Sequence, residues 1–347
     1  MDESLKHKRA LIAIITILVL LVGVTFAAGW LTQGVVRARV ERLFGLQADQ
    51  IASTYNHSMI TNILMLQGLR AYWNSVGRFD YHNFSTYVDS LSTNLQDKTG
   101  FSSFFYIKAV QNIQVGSMIK SIKREPNIPE IYQTYKITPP SNNELVYPLV
   151  YVTPLSGREN VLGLDFASKP DRYEAVLYAR DHNALATTMS LTLQTTGDPG
   201  FLMMLPLYTP NTQIERLADR RANFAGIVAI SLRSDEAFDE IFGKDDPYPY
   251  LDFQIYQGEA TTSDRLLYDH DPSFDQTQSN LTTKRVVRLY DQTWTIMVSM
   301  KPNFRLGEAE ERLPFIVFLV GMLMSIGVGS YFLIQYGKHM QQHLART

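Results

Sequence analysis

The architecture of the chain is decided by the stretch LIAIITILVLLVGVTFAAGW, residues 11–30. It lies inside a run without charged residues from Ala10 to Val36, and a second uncharged run, Leu313 to Gly337, contains FIVFLVGMLMSIGVGSYFLI. A helix of about 20 apolar residues crosses a hydrocarbon core of roughly 30 Å. Both runs therefore predict transmembrane helices. The alternatives are a cleaved signal peptide for the first run and a buried core helix for the second, and both fit the sequence less well.

Basic residues near the first run bear on the orientation of the chain. Lys6, Lys8 and Arg9 precede it, which favours a cytoplasmic N-terminus, whereas three arginines that follow it weaken this signal. Two spans place both termini on the same side of a bilayer. We therefore expect a two-pass protein of the inner membrane, with both termini cytoplasmic and residues 37–312 on the periplasmic or extracellular side.

The composition and the motifs exclude several classes of function. The 347 residues contain no Cys, which excludes disulfides, thiolate metal sites and cysteine nucleophiles. The formal net charge of −2 gives no reason to expect a nucleic-acid partner. The sequence contains no P-loop, Rossmann glycine pattern, HExxH, EF-hand loop or GxSxG motif. We therefore predict a protein that is not itself an enzyme and that uses no cofactor or metal.

The segment between the spans begins with helical patterns. Apolar residues recur at helical spacing over residues 34–74 without a proline, which predicts one long helix, and a second helix is predicted over 80–96. The long helix either packs along a domain or forms a stalk that also pairs with a second copy of the chain. We expect a homodimer, and both interpretations of the helix stay open.

Beyond residue 100 the patterns are typical of short strands separated by Pro, Gly, Asn and Asp. Helices are predicted at about 114–123, 170–181 and 234–242, and a boundary between two modules near 243–249. This mixture favours antiparallel α+β modules over a doubly wound sheet. The predicted strands cover residues 101–110, 146–152, 188–195, 200–207, 225–232, 251–257, 265–269, 283–290 and 293–300.

One long segment resembles a known family. Residues 143–208, which include YPLVYVTPLSGRENVLGLDFASKPDRYEAVLYARDHNALATT, resemble the core of the CHASE family of extracellular sensor domains. The flanking segments QGLRAYWNSVGRFDYHNFSTYV and GIVAISLRSDEAFDEIFG resemble its early helical region and a later strand. The similarity extends over roughly residues 60–300. It implies tandem PAS-like modules on a long N-terminal helix, with a small molecule bound by the membrane-distal module.

The predicted fold class is α+β. A long N-terminal helix precedes two tandem PAS-like antiparallel-sheet modules, and two transmembrane helices flank them. The predicted segments are the cytoplasmic N-terminus (1–9), the first transmembrane helix (10–33), the stalk helix with the second helix (34–99), the membrane-distal module (100–243), the membrane-proximal module (244–312), the second transmembrane helix (313–337) and the start of a cytoplasmic linker (338–347).

The resemblance also implies residues that contact the ligand. Asp165 matches the aspartate that hydrogen-bonds the adenine ring in plant members, which are cytokinin receptors. The alternative is that Asp165 or the nearby Ser168 caps the following helix. Thr187 matches a threonine of the pocket strand, and Leu193 matches a residue whose backbone pairs with the ligand. Met204 stands where plant receptors carry a hydroxyl residue, which argues against plant-type cytokinin recognition.

Three aromatic residues complete the candidate ligand-binding set. Phe104, Tyr106 and Tyr151 are predicted to line the same pocket, although core packing is the more common role of aromatic residues on strands. Thr153 departs from the glutamate common in bacterial members.

The sequence therefore predicts the sensory part of a transmembrane receptor that binds a small molecule. The resemblance to plant members makes an adenine-type compound one candidate for this ligand. Its output, a histidine kinase or a diguanylate cyclase, is expected outside this chain, either in a longer protein or in a partner. One rival is a membrane-anchored binding protein that does not signal. The other is a Cache-like chemoreceptor input domain, for which charged pocket residues would hold the carboxylate and the amine of an amino acid. Arg158 and Arg180, the arginines considered for this role, lie in loop-like or helical contexts.

Overall fold

The computed structural model describes residues 2–92, 101–139, 142–194, 197, 199–233, 238, 241–243, 247–290, 292–304 and 308–344. Contacts divide the chain into two compact units. The large unit comprises Ala48–Pro302, and the small unit comprises Met1–Gln47 and Asn303–Thr347. Both predicted sheet modules therefore fall within one compact unit.

The first helix, α1, extends without interruption over Asp2–Val76 and so belongs to both units. It is followed by Gly77, whose φ of 68° is a left-handed conformation that glycine adopts without strain. Helix α2, Tyr81–Ser92, begins after Asp80, whose carboxylate accepts a hydrogen bond of 2.8 Å from the backbone N–H of Asn83. The last four residues of the predicted helix 80–96 lie outside the described residues.

The large unit contains two antiparallel sheets. The first sheet has the strand order β4-β1-β8-β7-β5, with β6 also paired to β7, and the second has the order β10-β9-β12-β11. Strands β2 and β3 form a separate pair. The strand bounds are β1 Phe101–Lys108, β2 Val110–Gln111, β3 Leu145–Val146, β4 Leu149–Thr153, β5 Ala186–Thr187, β6 Leu191–Thr192, β7 Pro199–Tyr208, β8 Phe224–Arg233, β9 Leu251–Gln257, β10 Leu266–Asp269, β11 Thr282–Leu289 and β12 Gln292–Met300.

Four further helices are described. They are α3 Val115–Lys123, α4 Pro170–His182, α5 Leu217–Ala222 and α6 Glu308–Leu344. The first two lie at the predicted positions. Of the helix predicted at 234–242, only Phe238, Ile241 and Phe242 are described, and these three are helical.

Two strand predictions are wrong in detail. The predicted strand 146–152 is divided into β3 and β4, because Pro148 between them has no N–H to donate to a neighbouring strand. The predicted strand 188–195 is replaced by the two-residue strands β5 and β6, which pair with different parts of β7. Between β5 and β6, the Thr188 hydroxyl accepts a hydrogen bond of 3.0 Å from the N–H of Leu202, so the side chain takes part in holding this segment to β7.

Polar contacts join the two sheets at β5. The Thr187 hydroxyl donates to the Gln292 side chain at 2.7 Å and accepts from the Gln257 side chain at 2.7 Å. Gln292 in turn donates to the carbonyl oxygen of Leu185 at 3.0 Å. The first sheet is therefore tied to the end of β9 and the start of β12 by a small hydrogen-bond network.

In the small unit, α6 and the N-terminal part of α1 are long and apolar enough to cross a membrane. Their contact uses glycines. A Cβ added at Gly321 would lie 2.6 Å from Thr25, so only glycine permits this approach without a shift, and the rings of Phe26 and Phe318 meet edge to face at 5.0 Å. Small residues allow apolar helices to approach closely where lipid offers no hydrophobic driving force.

This helix contact predicts a specific cross-link, since the chain has no native cysteine. A Cβ placed on Gly29 lies 3.9 Å from the Cβ of Phe318, within the range of about 3.5–4.5 Å that disulfides span. We expect the pair Gly29→Cys/Phe318→Cys to form an intramolecular disulfide on mild oxidation in lipid nanodiscs. The readout is whether fragments stay joined after proteolysis between the helices.

The matched control is Gly23→Cys/Phe318→Cys, because a Cβ at Gly23 has no neighbouring heavy atom within 4 Å. Equal cross-linking of the two pairs, or cross-links only between separate chains, would contradict the described helix contact.

The second sheet buries one carboxylate. Asp252 on β9 is completely buried and accepts hydrogen bonds from the N–H of Asp271 at 3.0 Å and from the Gln276 side chain. Burial, followed by repulsion from Asp269, raises the pKa of Asp252 to about 6. The folded protein therefore holds a proton at Asp252 over a pH range in which the unfolded chain has already lost it.

This raised pKa predicts a pH dependence of stability with a definite sign. The stabilisation that protonated Asp252 adds to the folded state is fully present below the pKa of about 4 that the residue has in the unfolded chain. It is lost as the pH rises through about 6, the pKa in the folded protein. Between pH 4 and pH 7, we expect the wild type to lose roughly 1–3 kcal/mol of unfolding free energy relative to Asp252→Asn. Unfolding curves of both proteins at the two pH values measure this difference, and a constant difference would refute the assignment.

Candidate functional site

The first sheet presents two differently lined faces, because successive residues of a strand point to opposite sides. Phe105 pairs with Val152 and Ala229, and Ala229 pairs with Met204. These four side chains belong to a buried apolar cluster that includes residues of α4. On the other face, Tyr106 and its neighbours contact aromatic residues at the end of α1 and in α2.

Three of the predicted ligand residues belong to the α4 side. Leu193 and Met204 are members of the apolar cluster, and Asp165 lies between two further members, Leu164 and Phe166. All three predicted residues are buried. The structure therefore brings Asp165, Leu193 and Met204 to one side of the sheet.

Asp165 is held by the backbone. One carboxylate oxygen, Oδ1, accepts hydrogen bonds from the N–H groups of Tyr147 at 2.9 Å and Ala167 at 3.0 Å, and so caps the short turn Phe166–Ser168. Within the described part of the chain, the other oxygen, Oδ2, is buried without a hydrogen-bond partner. The Ser168 hydroxyl donates to the carbonyl oxygen of Asp165 and does not cap α4. Asp165 thus has a capping role and one free acceptor.

The other four predicted residues lie on the opposite face. The rings of Tyr106 and Tyr151 stack at 5.7 Å, and Phe104 packs against Phe101 at 4.9 Å. Thr187 bonds to glutamines of the second sheet. The aromatic residues and Asp165 therefore lie on opposite faces of the sheet, and the expectation that they line one pocket is wrong.

A cavity of about 380 Å³ opens on the face that carries Tyr106 and Tyr151. It is bounded by the end of α1, by α3 and by strands β1 and β4. Its lining combines aromatic side chains, among them Trp73, Phe79, Tyr106 and Tyr151, with three charged ones: Arg78, Lys108 and Glu125. The cavity therefore combines an aromatic wall with charges of both signs.

Glu125 is the buried charge of this cavity. Its side chain is 5 % exposed; it accepts hydrogen bonds from the Tyr151 hydroxyl at 2.5 Å and from the N–H of Tyr81 at 3.0 Å. Arg78 approaches the same carboxylate at 3.9 Å, and its own side chain is 69 % exposed. Burial and the hydrogen bond to Glu125 raise the pKa of Tyr151, so this phenol stays a hydrogen-bond donor. The carboxylate and the phenol form a fixed polar pair at the cavity.

The sequence gives little sign of these charged residues. Arg78 follows the end of α1, Lys108 ends β1 and Glu125 follows α3, so the three are brought together only by the fold. In sequence, Glu125 stands in the run KREP, which is typical of a solvated turn. Among the described residues, no cluster of three or more His, Asp or Glu side chains is arranged to hold a metal ion.

Several solved structures align with this chain at low similarity. The extracellular ligand binding receptor from Desulfohalobium retbaense aligns at 10% identity and a TM-score of 0.44, over 74% of this chain and 40% of that chain. The periplasmic sensory domain of the Campylobacter jejuni chemoreceptor Tlp1 aligns at 11% identity and a TM-score of 0.47, over 77% and 96%. The ligand-binding domain of the Pseudomonas aeruginosa amino acid chemoreceptor PctC, in complex with GABA, aligns at 12% identity and a TM-score of 0.42, over 75% and 99%.

The comparison with family models identifies the chain. No curated protein gives a significant match. A model of the CHASE domain matches residues 77–268, which is more than half of the chain and includes the whole first sheet, the cavity residues from Arg78 onward and Asp165. The protein therefore belongs to the CHASE domain family, a family of extracellular sensor domains.

Proposed function

We propose that the chain is the sensory input of a membrane receptor and that the module built on the first sheet binds a small molecule in the cavity beside Tyr106 and Tyr151. The observation that carries the proposal is the pairing of an aromatic wall with a buried carboxylate and two cations in one concave site. Pockets for small ligands are typically about 300–1,000 Å³ and combine apolar walls with a few fixed polar groups.

The charges of the cavity favour a ligand with both a carboxylate and an N–H donor. Arg78 and Lys108 attract a carboxylate, and Glu125 attracts an ammonium or a similar donor. The aromatic rings accommodate an apolar side chain or the methylene groups of such a ligand. An amino acid or a related zwitterion meets these requirements, as the Cache-like alternative expects.

A second candidate is an adenine-type ligand at Asp165. The buried Oδ2 oxygen of this residue is able to accept a hydrogen bond from a ring or exocyclic N–H, and buried acceptors without a partner are rare. This site would lie on the α4 side of the sheet, with Leu193 and Met204 nearby. Met204 does not supply the hydroxyl that plant members use.

For signalling, we propose that the PAS-like modules lie on the periplasmic or extracellular side. Both apolar helices then cross the membrane, and the receptor is a homodimer. Helix α1 is shared by the two units, so it offers a covalent route from the ligand module to the membrane. A ligand changes signalling only through different affinities for two conformations. The output is a histidine kinase or a diguanylate cyclase beyond this chain; a binding protein that does not signal is the remaining alternative.

Two variants on opposite faces of the sheet test the ligand site. We expect one or more amino acids to raise the thermal midpoint of the full chain in nanodiscs and Glu125→Gln to weaken that ligand's affinity about tenfold or more, since it removes a buried charge. Asp165→Asn is the matched control and leaves the affinity unchanged. Isothermal titration measures both affinities.

The opposite pattern favours the second candidate. If adenine derivatives stabilise the protein and only Asp165→Asn abolishes the effect, the ligand binds on the α4 side. A ligand whose affinity is unchanged in both variants would contradict both sites.

A further inference from the structure

A second cavity lies elsewhere in the large unit, beside the C-terminal part of α1, where residues 63–74 contribute to its lining. Its volume is about 510 Å³, and it is bounded by α1, by the end of α4 and by Tyr290 at the turn between β11 and β12. Its polar lining includes Gln67, Arg70, His182 and Asn183. The residues of this cavity are different from those of the cavity beside Tyr106 and Tyr151.

Arg70 is the arginine of this second cavity. Its guanidinium is half-buried and donates one hydrogen bond of 3.2 Å, to the side-chain oxygen of Asn183. Among the described residues, no carboxylate lies within ion-pair distance of Arg70. Burial of the Arg70 guanidinium lowers its pKa. Removing a charge from water without a partner is costly, so such a group attracts an anion.

Arg70 lines two cavities. The neighbouring cavity has a volume of about 250 Å³, and Arg70 lines it together with Tyr208, Thr209 and Asn211. The described residues that line these two cavities include no acidic side chain. Asp181, next to His182 in sequence, is already bound by Arg180 and by Arg221, each at 2.6 Å. The local charge around Arg70 is therefore positive.

The geometry points to an oxyanion-binding site at Arg70, which takes a small carboxylate or phosphate group independently of the ligand beside Tyr106 and Tyr151. A guanidinium binds such a group with two parallel N–H donors, a geometry that a lysine does not reproduce. The side-chain amides of Asn74 and Asn183 and the hydroxyl of Tyr290 are the further donors that line the cavity.

The site lies where α1 and both sheets come close to one another, so a bound anion would link them. Gln67 on α1 donates a hydrogen bond of 2.9 Å to the Tyr290 hydroxyl, so α1 and the turn of the second sheet already meet at this cavity. Asn183 directly follows α4, the helix whose buried apolar residues belong to the apolar cluster of the first sheet. An anion held by Arg70 between these groups would fasten the two sheets to each other and to α1.

The test uses the full chain in nanodiscs of zwitterionic lipid, with inorganic phosphate as the probe and chloride at equal ionic strength as the reference. We expect phosphate to raise the thermal midpoint of the wild type and to lower amide exchange at residues 183–185 and 289–290. Arg70→Gln should weaken phosphate binding about tenfold or more, and Arg70→Lys by less.

Arg37→Gln is the matched control, because Arg37 is an exposed arginine that pairs with Glu41 and lines neither cavity, and this variant should bind phosphate as the wild type does. Without phosphate, Arg70→Gln should be at least as stable as the wild type, since the unpaired cation is removed. If Arg70→Gln does not fold, Arg70→Lys carries the comparison. The absence of a phosphate-specific shift in the wild type, or an equal shift in the Arg70 variants, would overturn the proposal.

Discussion

The structure of the large unit depends on one buried stripe of α1. Ala48, Ile51 and Tyr55 on this helix are completely buried. The ring of Tyr55 meets Trp294 of the second sheet at 5.9 Å, and the ring of Trp73 meets Tyr106 of the first sheet at 5.7 Å. A single helix therefore supplies the apolar surface against which both sheets pack. Burial of large aromatic side chains is among the strongest stabilising terms available to a chain without disulfides.

Both cavities border this same helix. Trp73 in the last turn of α1 lines the cavity beside Tyr106 and Tyr151, and Gln67 and Arg70, one to two turns earlier, line the second cavity. The Trp73 indole donates a hydrogen bond of 2.7 Å to the carbonyl oxygen of Tyr208, which fixes the helix end against β7. A molecule bound in either cavity therefore acts on a helix that is continuous with the small unit, and this continuity is the physical basis of the proposed signalling.

Much of the fold could be predicted from periodicity. The 3.6-residue pattern of α1 and the short strands of the second sheet are local signals, and residues 251–257 form a strand as predicted. The site could be predicted only in part, because the side of a strand on which a residue lies depends on register. Asp165 and Tyr151 are both buried, yet they belong to opposite sides of the sheet. Glu125 carries no local signal, since its burial comes from contacts with Tyr81 and Tyr151 that are distant in sequence.

The central claim is that a ligand of the first-sheet module binds against the end of α1. Hydrogen–deuterium exchange of the full chain in nanodiscs tests it most directly, at saturation with the amino acid that gives the largest thermal shift. The account predicts protection at residues 77–81 and 121–125, which border the cavity, and none at 164–168. Protection confined to 164–168 and 187–193, with no change at the end of α1, would contradict it.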